Sequence, residues 1–312
     1  MTHGDSSDDG PTGDGSAADD STAHSVPVAD DDPTTGLDLL AEDTRFAILR
    51  TLSAHQRDNR DSRALPFAEL RKRVSRRDAG NFNYHLQKLC DRFVEHVDDG
   101  YRLTYLGMMA YGRLAAGTYA PHESVGPVDL DTACPICDDP MAATYEDCVI
   151  TVSCPAGHVV PQNFLPPAAA TDRDLGEMLD VAALGLVQDA EAALAGVCAF
   201  CDGPVDCTLR ATDDETGWAS HGFAGTCRAC GVLFRLSAPA AALVQPDATA
   251  FLAAHGANPR DGFDELVTAL AAAETVDSSG DPSSSTVAFS LDGDEVRVRV
   301  TDAGVECVDT TE

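Results

Sequence analysis

Lysine is almost missing from this chain: of 312 residues only Lys72 and Lys88 are lysine, and 21 basic residues face 52 acidic ones, for a net charge of -31. A chain this acidic repels nucleic-acid backbone as a whole, which excludes a uniformly basic nucleic-acid binder. Two readings of the charge compete: a mimic of an acidic ligand, or a protein of a high-salt cytoplasm whose carboxylates keep it hydrated. The Ala/Asp/Val-rich, Lys-poor usage favours the second. Aromatic side chains are also scarce, at 6%. There is no apolar run long enough to cross a membrane, and the N-terminus is acidic where a secretory leader is basic, so the expectation is a cytoplasmic chain without membrane contact. What is present is enough apolar material, 44%, for about two ordinary domains. There are also 11 cysteines, and in a reducing compartment paired Cys-x-x-Cys spacings mean metal more often than disulfides.

The charge is unevenly spread. Residues 1–44 hold 12 acidic residues and no Lys or Arg. Residues 1–36 lack the apolar surface that would offset ordering entropy and read as a disordered acidic tail. Between Ala41 and Arg113 the balance reverses, to 14 Lys/Arg against 10 Asp/Glu. In a chain otherwise so acidic, a positive island reads as a contact surface for an anion.

Within that island Leu39, Leu40, Phe46, Leu49 and Leu52 recur at helical spacing and predict a helix over 37–54. After a polar connector over 55–64, Pro66 starts a short helix, 66–74, expected to bury Phe67, Leu70 and Val74. The segment that follows predicts a third helix capped by Asp78, with Phe82, Leu86, Leu89 and Phe93 on its inner stripe. Its other side carries Asn81, Asn83, Tyr84, Gln87 and Lys88, with Arg76 and Arg77 just ahead, side chains suited to base edges and phosphates. Val94–Thr104 reads as a hairpin turning at Asp99-Gly100, with Arg102 placed to meet phosphate. His85 reads as a half-buried packing histidine, Cys90 as packing. A fourth helix, 105–118, offers Leu106, Met109, Ala110 and Leu114 either to a second copy of the chain or to the first helix.

D-T-R-F-A-I-L-R-T-L (43–52), F-N-Y-H-L-Q-K-L (82–89) and D-D-G-Y-R-L-T (98–104), in that order, resemble ArsR-type winged-helix transcription regulators, and the wording is similar to haloarchaeal versions of that family. The resemblance covers about residues 37–117. It implies a homodimer that binds double-stranded DNA with its third helix in the major groove. The chain departs from the family in lacking a cysteine-rich sensing motif in these helices.

The strongest chemical signal lies downstream. Cys198-Ala-Phe-Cys201 and Cys227-Arg-Ala-Cys230 are two Cys-x-x-Cys knuckles with 25 residues between them, against the usual 15–20 or so. Tetrahedral Zn2+ takes four thiolate or imidazole donors, and two such knuckles supply them. A long hairpin through Trp218 and Phe223 would fill the extra length. An earlier set is less regular: Cys134-Pro-Ile-Cys137, then Cys154, where the partner expected three residues on is Gly157. His158 follows and can complete a set of three cysteines and one histidine, with Cys148 the second candidate. Cys207 and Cys307 read as small apolar residues, and His221 as either a surface or a supporting group. Closed four-donor sites leave no position for an activated water, which makes both structural. His122-Glu123 does not complete a deaminase signature, and no Walker loop, dinucleotide fingerprint or nucleophile elbow occurs. The chain is expected not to be an enzyme.

The expected fold is α+β: an N-terminal winged helix-turn-helix, two small zinc-ribbon-like β units joined by a helix, and a C-terminal β-hairpin. The corresponding segments are 1–36 (tail), 37–120 (winged helix), 128–168 (first ribbon), 169–196 (connecting helix), 197–260 (second ribbon with a short helix) and 261–312 (helix and hairpin). The expected function is a promoter-binding regulator; the alternative is an adaptor that binds the transcription machinery, as initiation factors with winged helices and ribbons do.

Overall fold

Glu42 decides where the second helix starts. Its backbone is extended and its carboxylate accepts the backbone N–H of Arg45 at 2.9 Å, an N-cap. One helix expected over 37–54 is therefore two in the computed structural model, α1 (Thr34–Leu40) and α2 (Asp43–Asp58). The structure describes residues 34–59, 63–74, 81–120, 123–211, 221–276 and 283–311. All but three residues of the expected tail, the cap Asp78, and Arg76, Arg77, His122 and Trp218 lie outside them.

The chain divides into two units, residues 1–104 and 105–312. In the first, α3 (Phe67–Val74) and α4 (Phe82–Leu89) precede a hairpin of β1 (Val94–Val97) and β2 (Gly100–Leu103). Ile48, Leu49 and Leu52 of α2 are fully buried, and α2 packs on α3, α4 and β2. Truncating any one of these three to Ala would cost about 2–5 kcal/mol. Phe67, expected inside, is 37% exposed and reaches edge-on to Phe82 with ring centroids 5.7 Å apart. The hairpin turns one residue earlier than expected, at Asp98-Asp99, because Gly100 already pairs with Val97. Gly100 has φ +137°, and a Cβ there would stand 2.3 Å from the Leu65 carbonyl oxygen. Glycine lets Leu65 bridge to Tyr101 through two backbone hydrogen bonds, 2.8 and 2.9 Å.

The second unit opens with α5 (Tyr105–Ala115), which the sequence segments had grouped with the helices before it. An antiparallel sheet follows, of β3 (Val125–Ala133), β4 (Pro140–Glu146), β5 (Val149–Ser153) and β6 (Val159–Phe164) in that order. After a 3-10 turn comes α6 (Leu175–Leu194), opened by a reciprocal cap: Asp174 accepts the Glu177 N–H at 2.9 Å and Glu177 accepts the Asp174 N–H at 3.0 Å. A second sheet holds β7 (Val205–Ala211), β8 (His221–Cys227) and β9 (Leu233–Ser237). Then come α7 (Ala238–Ala242), α8 (Pro246–Ala254), α9 (Phe263–Ala271) and a third sheet of β10 (Ala273–Thr275), β11 (Ser284–Leu291), β12 (Asp294–Thr301) and β13 (Gly304–Thr311). The expected terminal hairpin is thus the middle of a four-stranded sheet. In β12 the alternation is strict: Val296, Val298 and Val300 are fully buried, while Arg297 and Arg299 face out to Glu295 and Glu306.

One hydrophobic core runs through this unit, from Met141, Ile150 and Val152 through Met178 and Leu179 of α6 and the alanines of α7 to Val287, Phe289 and Val298. The segments expected over 128–168, 169–196, 197–260 and 261–312 share it, so they are layers of one body and not four. The architecture is α+β with small antiparallel sheets. Among the described residues no helix is long and apolar enough to cross a membrane.

Candidate metal centres and nucleic-acid interface

Three Cys-x-x-Cys turns share one backbone plan. The N–H of the first cysteine donates to the carbonyl five residues on: Cys134 to Asp139 at 2.8 Å, Cys198 to Gly203 at 2.9 Å, Cys227 to Val232 at 3.0 Å. The residue four on donates back to the carbonyl of the first cysteine: Asp138 and Asp202 at 2.9 Å, Gly231 at 3.0 Å. That returning residue has left-handed backbone in each case, φ 61°, 59° and 74°, a conformation that Gly, Asn and Asp tolerate best. The fourth turn is one residue tighter. Gly157 (φ 88°) donates to the Cys154 carbonyl at 3.0 Å, and the Cys154 N–H donates to His158 at 3.1 Å. The fourth donor, His158, stands four residues after Cys154, at the residue whose carbonyl takes the Cys154 N–H.

The turns meet in pairs and form two clusters: Cys134, Cys137, Cys154 and His158, and Cys198, Cys201, Cys227 and Cys230, with the donor atoms of each set within 4.8 Å of one another. These are the two sets expected from spacing, His158 included. Cys148 stands outside them, buried, its thiol toward the Thr118 carbonyl at 3.9 Å. Each cluster could hold a metal ion. In the first, Cys137 Sγ lies 3.6 Å from Cys154 Sγ and 3.3 Å from His158 Nδ1, which is itself 3.4 Å from Cys154 Sγ and 3.6 Å from Cys134 Sγ. In the second, Cys198 and Cys230 stand 3.8 Å apart and Cys201 and Cys227 3.5 Å apart. Disulfide sulfurs would be about 2.05 Å apart. The edge of a tetrahedron of thiolates around an ion with 2.3 Å bonds is about 3.8 Å, so a small tetrahedral ion fits both clusters.

Protons report the same crowding. The backbone N–H of Cys230, with that of Ala229, draws the Cys227 thiol down to about 6 against the burial that opposes it. Cys201 beside it is favoured as a thiolate by the Gly203 N–H, yet its bonds to Cys230 and Cys227 together with burial push it up to about 12. In the first cluster burial raises Cys154, but the His158 N–H and the Cys137 thiol outweigh it and set the group at about 7. Cys137, assisted by the Asp139 N–H but opposed by burial and by the Cys134 and Cys154 thiols, is pushed to about 12. Packed thiols share out their protons because they cannot all ionise together; a divalent cation removes that obstacle.

Among the expected nucleic-acid contacts, Asn81, Asn83, Tyr84, Gln87 and Lys88 are exposed, while Phe82, His85, Leu86 and Leu89 of the same helix are buried. Lys88 Nζ sits over the Tyr84 ring, 5.7 Å from its centroid. Asn81 precedes α4 but makes no side-chain cap. Arg102 is engaged by Glu95 at 2.8 Å. His85 is more buried than expected, at 7% exposure, its Nδ1 3.0 Å from a Glu42 carboxylate oxygen but outside hydrogen-bonding alignment. Sequence reasoning overlooked the left-handed residues that close the knuckles. The signal was available in a repeat, C-P-I-C-D-D-P at 134–140 and C-A-F-C-D-G-P at 198–204.

Residues 131–305 match a family model described as Domain of unknown function (DUF7351), and residues 33–114 match another described as Domain of unknown function (DUF7347). The first match covers more than half of the chain and takes in both clusters and the shared core. No curated protein and no solved structure matches the chain.

Proposed function

The chain belongs to the family described as Domain of unknown function (DUF7351), and we propose that it is a sequence-specific DNA-binding transcription regulator with two structural zinc ions. In this reading α2–α4 and the β1–β2 hairpin form a winged helix, α4 enters the major groove, and the two clustered sheets are zinc ribbons. The observation that carries it is the division of α4: a fully buried stripe of Phe82, Leu86 and Leu89 against an outer face of Asn83, Tyr84, Gln87 and Lys88. Amides bond adenine edges in pairs, and a cation steadied over a tyrosine ring suits guanine or phosphate. Arg102 can exchange Glu95 for a phosphate at little cost, since an exposed ion pair is worth about 0–1 kcal/mol. Exposed Tyr105, Leu106, Met108 and Met109 on α5 supply an apolar face for a homodimer.

The donor chemistry favours Zn2+, because four thiolates, or three thiolates and an imidazole, at tetrahedral spacing make its structural sites. The four donors close its coordination, so the ion supplies folding energy and no catalysis. In concentrated salt counterion release drives little binding and the Debye length shrinks to about 3 Å near 1 M. A small face of amides with one cation therefore suits such a solvent better than a broad basic surface.

Selection of bound duplexes from a randomised pool tests the reading. The full chain should enrich one sequence motif, and Asn83→Ala with Gln87→Ala should change that motif, while Arg76→Ala with Arg77→Ala weakens binding to every duplex. A pool without enrichment, or a motif indifferent to Asn83 and Gln87, overturns it in favour of an adaptor for the transcription machinery.

A further inference from the structure

Beside the second cluster lies a hollow of about 250 Å3, walled by Phe164 of β6, Leu186 and Ala190 of α6, Phe200 of the Cys198–Cys201 turn, and Phe234 and Leu236 of β9. Cys198 and Cys227 form part of the same wall. On the scale where a dry cavity of about 150 Å3 takes up benzene, this space accommodates a ring with a short side arm. The Phe164 and Phe200 rings, centroids 6.4 Å apart, both line it and both remain about half exposed.

Few polar groups face the hollow, and their engagements decide what it can recognise. Gln162 spends its amide on the Thr151 hydroxyl at 3.1 Å, and Asn163 spends its own on the Ala182 carbonyl at 2.9 Å. Arg235 lies at the exposed rim. Asp189 differs: it is half-buried on α6, it lines the hollow, and no hydrogen bond or ion pair reaches it among the described residues. Burial alone displaces its carboxyl, upward from the ordinary aspartate value, with no neighbour opposing it. A carboxylate with unused acceptor capacity, set in apolar and aromatic walls, asks for a donor that brings positive charge.

We propose that this hollow is a binding site for a small organic amine with an apolar body, Asp189 taking the ammonium and Phe164 and Phe200 flanking it. Carboxylate–ammonium bonds are the stronger, charge-assisted kind, and aromatic faces attract the same cation. Because Cys198 and Cys227 share the wall, the occupant lies against the second metal cluster. The site stands independently of any DNA contact.

Calorimetric titration of the full chain with 2-phenylethylamine tests this, beside the neutral 2-phenylethanol and the acid 3-phenylpropionate. The amine should bind at least about tenfold more tightly than the alcohol and the acid. Asp189→Asn should erase that preference while leaving the alcohol's affinity unchanged, and Phe200→Ala should weaken all binders. No heat with the amine up to about 10 mM, equal affinity for alcohol and amine, or an undiminished preference in Asp189→Asn overturns the assignment. The preference within the unmodified protein stands as a test even if a variant fails to fold.

Discussion

The two clusters share one kind of turn, used twice in the second and once beside a tighter turn in the first, and they differ more in what surrounds them. Cys134 and Cys154 are buried and belong to the large core, and Cys137 and His158 are half-buried. In the second cluster Cys198 and Cys227 are buried, but Cys201 and Cys230 face solvent, and the buried pair packs on a small satellite of Val205, Cys207 and Phe234. The sheet behind the first has four strands and that behind the second three. Similar donor crowding therefore does not mean equal structural weight. The first cluster sits within the large core, and the second packs on a small satellite beside a hollow.

The comparison is sharpest in stability. Cys154→Ser should remove one ion and unseat the core that Met141, Ile150 and Met178 share with it, at a cost above about 4 kcal/mol. Cys201→Ser should cost about 1–2 kcal/mol, because Cys201 is exposed and its cluster packs on the small satellite and not inside the large core. Urea unfolding of the full chain, with metal counted by mass spectrometry, measures both. Equal losses would make the two clusters equivalent and break the distinction.

A glycine offers a finer cut. Where the first turn has Asp139, the second has Gly203, and a Cβ at that point would meet the Ala229 Cβ at 2.7 Å and two cluster sulfurs at 3.2 and 3.3 Å. Ala229 has no far end that can swing away, so Gly203→Ala must spread the two knuckles, at a cost of about 1–3 kcal/mol. The expected protein keeps its fold but holds one metal ion tightly, while the other passes to a colorimetric chelator. A Gly203→Ala protein with both ions retained would show that the second pair of turns has room to give.

The sites were more legible in the sequence than the body that holds them. A Cys-x-x-Cys turn is local, so spacing placed the donors of three turns; the fourth broke that spacing, with Gly157 where the partner was expected, and His158 was read as the next donor along the chain, ahead of Cys148. The buried stripe of α4 was readable for the same reason, as a period of a few residues. What escaped depends on distant partners. The run S-A-P-A-A-A-L shows no amphipathic pattern, yet it forms α7, whose alanines are buried on every side because helix and sheets close around them. The last strand escaped too: β13 pairs with β12 through a shift in register at Arg297/Val298. Asp189 sits on α6 where a charged residue reads as a solvated face, and only packing by the second sheet turns it into the floor of a hollow.

That residue also supplies the smallest contrast between the two regions. Among the described residues, the half-buried carboxylate beside the first cluster, Asp139, is engaged by the Cys137 thiol at 3.4 Å, whereas Asp189 is not. Burial raises the Asp189 pKa above its ordinary value of 3.8, so the folded state binds its proton more readily than the unfolded chain does. The group is then neutral in both states below about pH 3.8 and costs nothing there; as pH rises through the folded value it ionises against burial and stability falls. Asp189→Asn removes that penalty. Its melting temperature should exceed that of the unmodified protein by about 1–3 °C at neutral pH, with the gain shrinking to nothing in acid, as followed by calorimetry across pH. A gain that persists in acid would assign the effect to packing, and a loss at neutral pH would mean that the carboxylate has a partner that steadies the second sheet.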